Sequence, residues 1–91
     1  SKKNYAFTVE ASHVEGDVLY LEALRDRTWV IVDSAQLENG KFNFEGTFIT
    51  PDFYQLRSRT NQYAIIIVDE SPSTLTFDFS DVVNTMSVSQ S

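Results

Sequence analysis

Large apolar side chains recur at every second position in three separate runs of this chain. Tyr5, Phe7 and Val9 alternate with Asn4, Ala6, Thr8 and Glu10. Phe42, Phe44, Gly46 and Phe48 alternate with Lys41, Asn43, Glu45 and Thr47. Leu75, Phe77 and Phe79 alternate with Thr74, Thr76, Asp78 and Ser80. Successive side chains of a β-strand point to opposite faces, so each run gathers its oily groups on one side. The residue supply agrees: seven Phe, with frequent Val, Ile and Thr, suit a half-buried pleated surface better than a helix.

Turn chemistry separates these runs. Leu37-Glu38-Asn39-Gly40-Lys41 sets Asn-Gly between strand-like residues 28–35 and 41–49, a strong hairpin signal because both central residues of a type I′ turn need positive φ. Pro51-Asp52 marks a bend before a strand at 53–57. Tyr63–Val68 is apolar on both parities, the pattern of a central strand covered on both sides. Ser71-Pro72-Ser73 is a loop. Residues 18–24 include good helix formers but no helical stripe, and read as strand. Val82-Val83 lies in a polar stretch, Met86 and Val88 suggest a last weak strand, and the ends, 1–4 and 89–91, are expected to fray. The sum is an all-β, antiparallel two-sheet β-sandwich of seven to eight short strands, one domain over residues 1–91. With 42% hydrophobic residues the chain can hold a core without metal or disulfide staples.

Several chemistries find no support. Thirteen acids against seven Lys and Arg give a charge of −6, the wrong footprint for nucleic acid. The absence of Cys excludes disulfides, thiolate zinc sites and thiol redox chemistry within the chain. No apolar run approaches the ~18–20 residues of a membrane helix. His13, the one histidine, sits in a polar turn, Ser12-His13-Val14-Glu15-Gly16, and reads as solvated; a triad or zinc site needs partners that nothing in the pattern supplies. Asp69-Glu70 and Asp78/Asp81 lack calcium-loop spacing and read as charged turns. Gly16, Gly40 and Gly46 are isolated, so no glycine-rich loop cradles a phosphate, and Gly46 within a strand indicates a bulge or close backbone packing. No catalytic, metal-binding or cofactor-binding residue is therefore expected. Trp29 alone is a candidate binding residue. It shares a parity with Ile31 and Asp33, opposite Val30 and Val32, and if exposed near Tyr20 or Tyr63 it could stack on a sugar or anchor a partner.

Three segments together resemble a known family. Asp33-Ser34-Ala35 followed by Asn39-Gly40-Lys41-Phe42-Asn43-Phe44-Glu45-Gly46 is similar to its "DSA…NGKFxFxG" signature. Pro51-Asp52-Phe53-Tyr54-Gln55-Leu56 is similar to the "P-x-x-Y-x-L" strand that follows. Tyr5-Ala6-Phe7-Thr8-Val9-Glu10 with Val18-Leu19-Tyr20-Leu21 resembles the opening pair, although Glu10 and Ala11 stand where a Gly is usual. These are domains of unknown function from Gram-negative gut anaerobes, found N-terminal to thioredoxin-like or peroxiredoxin-like (AhpC/TSA) domains in envelope lipoproteins. The resemblance implies a periplasmic or outer-membrane address, with Ser1-Lys2-Lys3 the kind of start that follows a lipobox cysteine and the membrane reached only through a lipid anchor outside this chain. It implies no site residues. Two functions follow as expectations: a non-catalytic accessory or interaction module linked to a thioredoxin-like domain or another envelope protein, or a free-standing glycan- or protein-binding sandwich.

Overall fold

A computed structural model of the chain describes residues 3–48 and 52–90. These form β1 (Lys3–Ser12), β2 (Val18–Arg25), β3 (Thr28–Gln36), β4 (Phe42–Phe48), β5 (Asp52–Ser58), β6 (Tyr63–Val68), β7 (Ser73–Asp78), a one-turn helix α1 (Val82–Thr85) and β8 (Ser87–Gln90). Sheet I has the order β4-β1-β7-β8 and sheet II the order β3-β2-β5-β6, four strands each. The all-β sandwich expected from the alternation is present. One pair departs from the antiparallel rule: β1 and β7 run parallel, from Phe7 beside Ser73 to Ser12 beside Asp78.

The alternation sorts the core. Tyr5, Phe7, Val9, Phe42, Phe44, Leu75 and Phe77 of sheet I face Leu19, Leu21, Ala23, Tyr54, Leu56, Ala64, Ile66 and Val68 of sheet II, all buried. Each large apolar side chain removed from water contributes about 1.5–3 kcal/mol before its entropy cost. Phe7 and Phe44 are direct partners across β1 and β4 and stack with centroids 5.0 Å apart. Opposite Tyr5 in the same ladder stands Gly46, and a β-carbon there would collide with the Tyr5 ring. The close packing expected at Gly46 is thus real, and it accommodates an aromatic ring rather than a bulge. Tyr5 then reaches across the sandwich, its hydroxyl donating to Asp33 Oδ2 of β3 at 2.8 Å.

Three sequence expectations need correction. Tyr63–Val68 is an edge strand, not a central one: β6 pairs only with β5 among the described residues, and Tyr63, Ile65 and Ile67 face solvent while Ala64, Ile66 and Val68 face the core. The Asn39-Gly40 turn forms as its chemistry dictates, at φ 51° and 78° and closed by two backbone bonds between Glu38 and Lys41, but it does not make a hairpin of its flanking strands. β3 goes to sheet II and β4 to sheet I, so the turn carries the chain from one layer to the other. The β2–β3 hairpin instead turns on Asp26-Arg27, at φ 50° and 66°. Trp29 and Asp33 do not share a face. The β2–β3 ladder shifts between Leu21 and Glu22, pairing them with Asp33 and Ile31, which leaves Val32 as an extra residue and reverses the parity beyond it. Val82 and Val83, in the polar stretch that follows Ser80, lie in α1, capped by Asp81. The Pro51 bend lies outside the described residues, as do Ser1, Lys2 and Ser91 among the expected frayed ends, whereas Lys3, Asn4, Ser89 and Gln90 belong to strands.

Two outcomes test this packing. Gly46→Ala forces Tyr5 from its seat and destabilises the fold by about 1–3 kcal/mol in urea unfolding. Burial, and next the Asp33 carboxylate that accepts its proton, push Tyr5 ionisation well above the ordinary tyrosine range. Unfolded tyrosine titrates near ~10, so the Tyr5 contribution is complete below that pH and is lost as pH rises past it, because only the unfolded chain then releases the proton. Tyr5→Phe flattens this alkaline fall in stability; an equally steep fall in the variant contradicts the assignment.

Candidate functional site

The two outer faces of the sandwich differ in kind. Sheet I turns Asn4, Ala6, Asn43, Glu45, Thr47 and Thr76 to solvent, a polar and freely hydrated back. Sheet II presents a grid that can be read from its registers. One row across the strands is Ile31, Glu22, Gln55 and Ile65; a second is Ser34, Tyr20, Arg57 and Tyr63. Trp29 lies beside Leu24, and Phe53 beside Ile67. Leu24, Trp29, Ile31, Phe53, Tyr63, Ile65 and Ile67 remain between 37% and 62% exposed.

The middle of this face is polar, and it satisfies itself. Glu22 and Gln55, although on the outer side of the sheet, are only 5% and 6% exposed, walled by their longer neighbours. Gln55 Nε2 donates to Glu22 Oε1 at 2.7 Å, and Arg57 Nε donates to Glu22 Oε2 at 2.9 Å. The Arg57 guanidinium sits 4.8 Å from the centre of the Tyr20 ring, an attractive cation–π geometry. An unpaired carboxylate so far out of water is costly, whereas one holding two charge-assisted bonds is tolerable. Among the described residues no buried side-chain nitrogen or oxygen lacks a partner.

Beside this face, the flank between β6 and β8 opens as a groove of about 400 Å³. Phe53, Ile65 and Ile67 form one wall and Leu75, Met86 and Val88 the other. The opposite flank is crossed by the chain itself, through the Glu38–Lys41 turn and the bond from Leu37 N–H to Asp17 O at 2.8 Å.

The residues singled out in the sequence fall as follows. Trp29 is on the apolar face, half-exposed. Tyr20 and Tyr63 share that face, but Trp29 stands on edge strand β3, Tyr63 on edge strand β6, and the Tyr20 ring is engaged by Arg57, so the three do not form one stacking platform. His13 is exposed, with Nδ1 2.9 Å from Asp78 Oδ1. The hydroxyl of Ser80 donates to the same carboxylate oxygen at 2.7 Å, on the acid side of the pair. Bonds from the Ser80 hydroxyl and backbone, followed by the His13 contact, hold Asp78 below the usual carboxylate range. Asp69 is a turn residue, accepting from Ser71 N–H at 2.9 Å, and Glu70 lies 3.8 Å from Lys3. Among the described residues no group of three or more His, Asp or Glu side chains converges as a metal ion requires. Sequence reasoning missed the Glu22–Gln55–Arg57 cluster. Gln55 and Arg57 share a parity with Phe53, which was visible, but their meeting with Glu22 depends on the β2–β5 register.

The molecule is thus an eight-stranded β-sandwich with one hydrated back and one apolar face built around an internally neutralised ion pair. It belongs to the family described as Domain of unknown function (DUF4369), whose model matches residues 5–91. No curated protein and no solved structure matches the chain.

Two substitutions separate structure from surface on this face. Arg57→Ala leaves Glu22 buried with half of its partners and costs about 1–3 kcal/mol. Ile65→Ser, at an exposed position, shifts stability by no more than about 0.5 kcal/mol. Chemical denaturation of both variants checks the contrast.

Proposed function

We propose that this chain is a non-catalytic interaction module of a bacterial cell-envelope lipoprotein, docking through the outer face of sheet II onto a thioredoxin-like domain of the same protein. The envelope setting and the redox partner rest on the resemblance of the Asp33–Ala35, Asn39–Gly46 and Pro51–Leu56 segments to domains that stand before such partners. The docking face rests on one observation: exposed apolar side chains are concentrated on sheet II, around an ion pair that has already neutralised itself. A small domain seldom leaves this many large apolar side chains uncovered on one face unless something covers them.

The chemistry of the face favours a folded protein partner. Interface energy concentrates in Trp, Tyr and Arg surrounded by apolar contacts, which describes Trp29, Tyr20, Tyr63 and Arg57 among Leu24, Ile31, Ile65 and Ile67. Covering a charge normally exacts a desolvation penalty, yet Glu22 is already nearly out of water and bonded on both oxygens. A glycan asks for something else, a flat aromatic shelf beside polar groups with free hydrogen-bonding capacity. Here the aromatic rings are dispersed across the sheet, and the central polar groups are bonded to each other.

Titration into this chain of the thioredoxin-like domain that the proposal assigns to the same protein tests the reading. Trp29 is the one tryptophan, so its fluorescence reports directly on the face. The expected result is a fluorescence change with amide shifts at Trp29, Ile31, Ile65 and Ile67, and an affinity weakened about tenfold or more by Ile31→Lys. Shifts confined to the polar back, or no binding, overturn the proposal.

A further inference from the structure

The chain has five Asn, and the structure sets one of them apart. An Asn amide is lost when the backbone nitrogen of the next residue attacks its side-chain carbon. The reaction therefore needs that nitrogen unencumbered and that side chain free to turn. Asn4 and Asn43 are held in the β1–β4 ladder, where Thr8 Oγ1 donates to Asn43 Oδ1 at 2.9 Å. The nitrogen after Asn61, that of Gln62, donates to Ser58 Oγ at 3.1 Å. Asn84 Nδ2 donates to both carboxylate oxygens of Asp81 at 3.2 Å, within α1. At Asn39 neither restraint applies. Among the described residues its side chain and the Gly40 N–H make no hydrogen bond, and the turn is closed by Glu38 and Lys41 instead. Both residues are exposed. Gly40 has no β-carbon to crowd the approach, and nothing lies within 4 Å of where one would stand.

We infer that Asn39-Gly40 is a self-modification site, where loss of ammonia alters the covalent link between the two sheets. The Gly40 nitrogen gives its proton to hydroxide, and its electron pair attacks Asn39 Cγ. The Cγ–Nδ2 bond breaks, ammonia leaves with a proton taken from water, and a five-membered succinimide closes. Water then adds to one of the two ring carbonyls. Opening at the side-chain carbonyl leaves aspartate at position 39. Opening at the main-chain carbonyl leaves isoaspartate, which routes the backbone through one additional carbon. The sum is one water consumed and one ammonia released, with no change of oxidation state.

The fold sets both the rate and the consequence. Ring closure requires the Gly40 nitrogen to swing round to Cγ, out of the left-handed conformation held at φ 51° and 78°. Two backbone bonds, of 2.9 and 3.0 Å, resist that swing, and an exposed turn tip opens locally at far lower cost than the whole molecule. A two-residue turn has no slack. An additional main-chain carbon displaces Lys41 from Glu38 and takes apart the bonds that close it. Either product also adds a negative charge next to Glu38, in a chain already at −6. The turn carries the chain from β3 in sheet II to β4 in sheet I, so the disturbance passes to that flank, where Leu37 N–H donates to Asp17 O. The inference rests on the turn alone and is independent of what covers sheet II.

Incubation of the folded chain in mildly alkaline, ammonia-free buffer tests it, with circular dichroism verifying that the fold persists. Peptide mass spectrometry is expected to show the amide replaced by a carboxyl at Asn39 ahead of Asn4, Asn43, Asn61 and Asn84. Ammonia is released in equal amount, at a rate that rises with hydroxide concentration. Hydroxylamine, which captures the ring, is expected to cut the chain into residues 1–39 and 40–91. Asn39→Gly keeps a residue that accepts positive φ and removes both results. The isoaspartate-bearing chain is expected to unfold at lower urea concentration than Asn39→Asp, which has the new charge without the additional carbon. An Asn39 amide that survives the incubation overturns the inference. So does modification that begins at another Asn, hydroxylamine cleavage that persists in Asn39→Gly, or an isoaspartate-bearing chain as stable as Asn39→Asp.

Discussion

A β-strand has two faces, and a two-layered sandwich has one interior. That constraint governs this molecule. Val9, Leu19, Leu21, Phe42, Phe44 and Leu56 are almost completely out of water between the sheets, and they fix which parity of every other strand points in. Once the inward set is chosen, the outward set has no further choice. On β1, β4 and β7 the leftover residues are Thr, Asn, Glu and Ala, and water takes them readily. On β3, β5 and β6 they include Trp29, Ile31, Phe53, Ile65 and Ile67, whose removal from water each contributes on the order of 1.5–3 kcal/mol and which the fold itself leaves uncovered.

One inserted residue links the interior to that exposed face. Without Val32 as an extra position, Asp33 would follow Trp29 and Ile31 to the outside, and the Tyr5 hydroxyl would lose the acceptor that ties sheet I to sheet II. The bulge turns Asp33 inward while Ile31 stays out, beside Glu22. The same ladder thus supplies a part-buried cross-sheet bond at one end and an outward carboxylate at the other. Glu22 is then caught by Gln55 and Arg57 from β5. Bulges commonly re-aim side chains at functional surfaces, and this one sits at the border of the apolar grid.

How much of this the sequence shows depends on whether the physics is local. Alternation at Tyr5–Val9, Phe42–Phe48 and Leu75–Phe77 is local, and it led directly to β1, β4 and β7 and to the half of the core that sheet I contributes. The positive φ of Asn39-Gly40 is local too, and it was legible. Which strands that turn joins is not local, because sheet partners are set by packing over the whole chain, and the hairpin reading failed there. Asp26-Arg27 makes the true hairpin turn, and although Asp is a common turn residue, Arg at positive φ is not, so the pair lacks the Asn-Gly or Asp-Gly signal. An apolar run such as Tyr63–Val68 suits either a strand covered on both faces or an edge strand whose outer face awaits a partner, and composition cannot separate these. Trp29 reached the candidate face by parity, but Glu22, Gln55 and Arg57 are polar residues at unremarkable spacings, and only the β2–β5 register makes them a cluster.

The misreading of β6 is instructive for function. Three consecutive Ile flanked by Ala and Val is the sequence of a strand with neighbours on every side, whereas among the described residues β6 has β5 on one side and the core beneath it, with Tyr63, Ile65 and Ile67 facing solvent. A protein that kept such a strand permanently bare would carry an aggregation hazard that a single Lys at position 65 or 67 could relieve, since both side chains already face solvent. Stability does not resist that change, because exposed positions tolerate charge at little cost. The edge strands β3 and β4 show that this chain accepts acidic residues on its margins. β6, by contrast, carries no charged residue and three Ile.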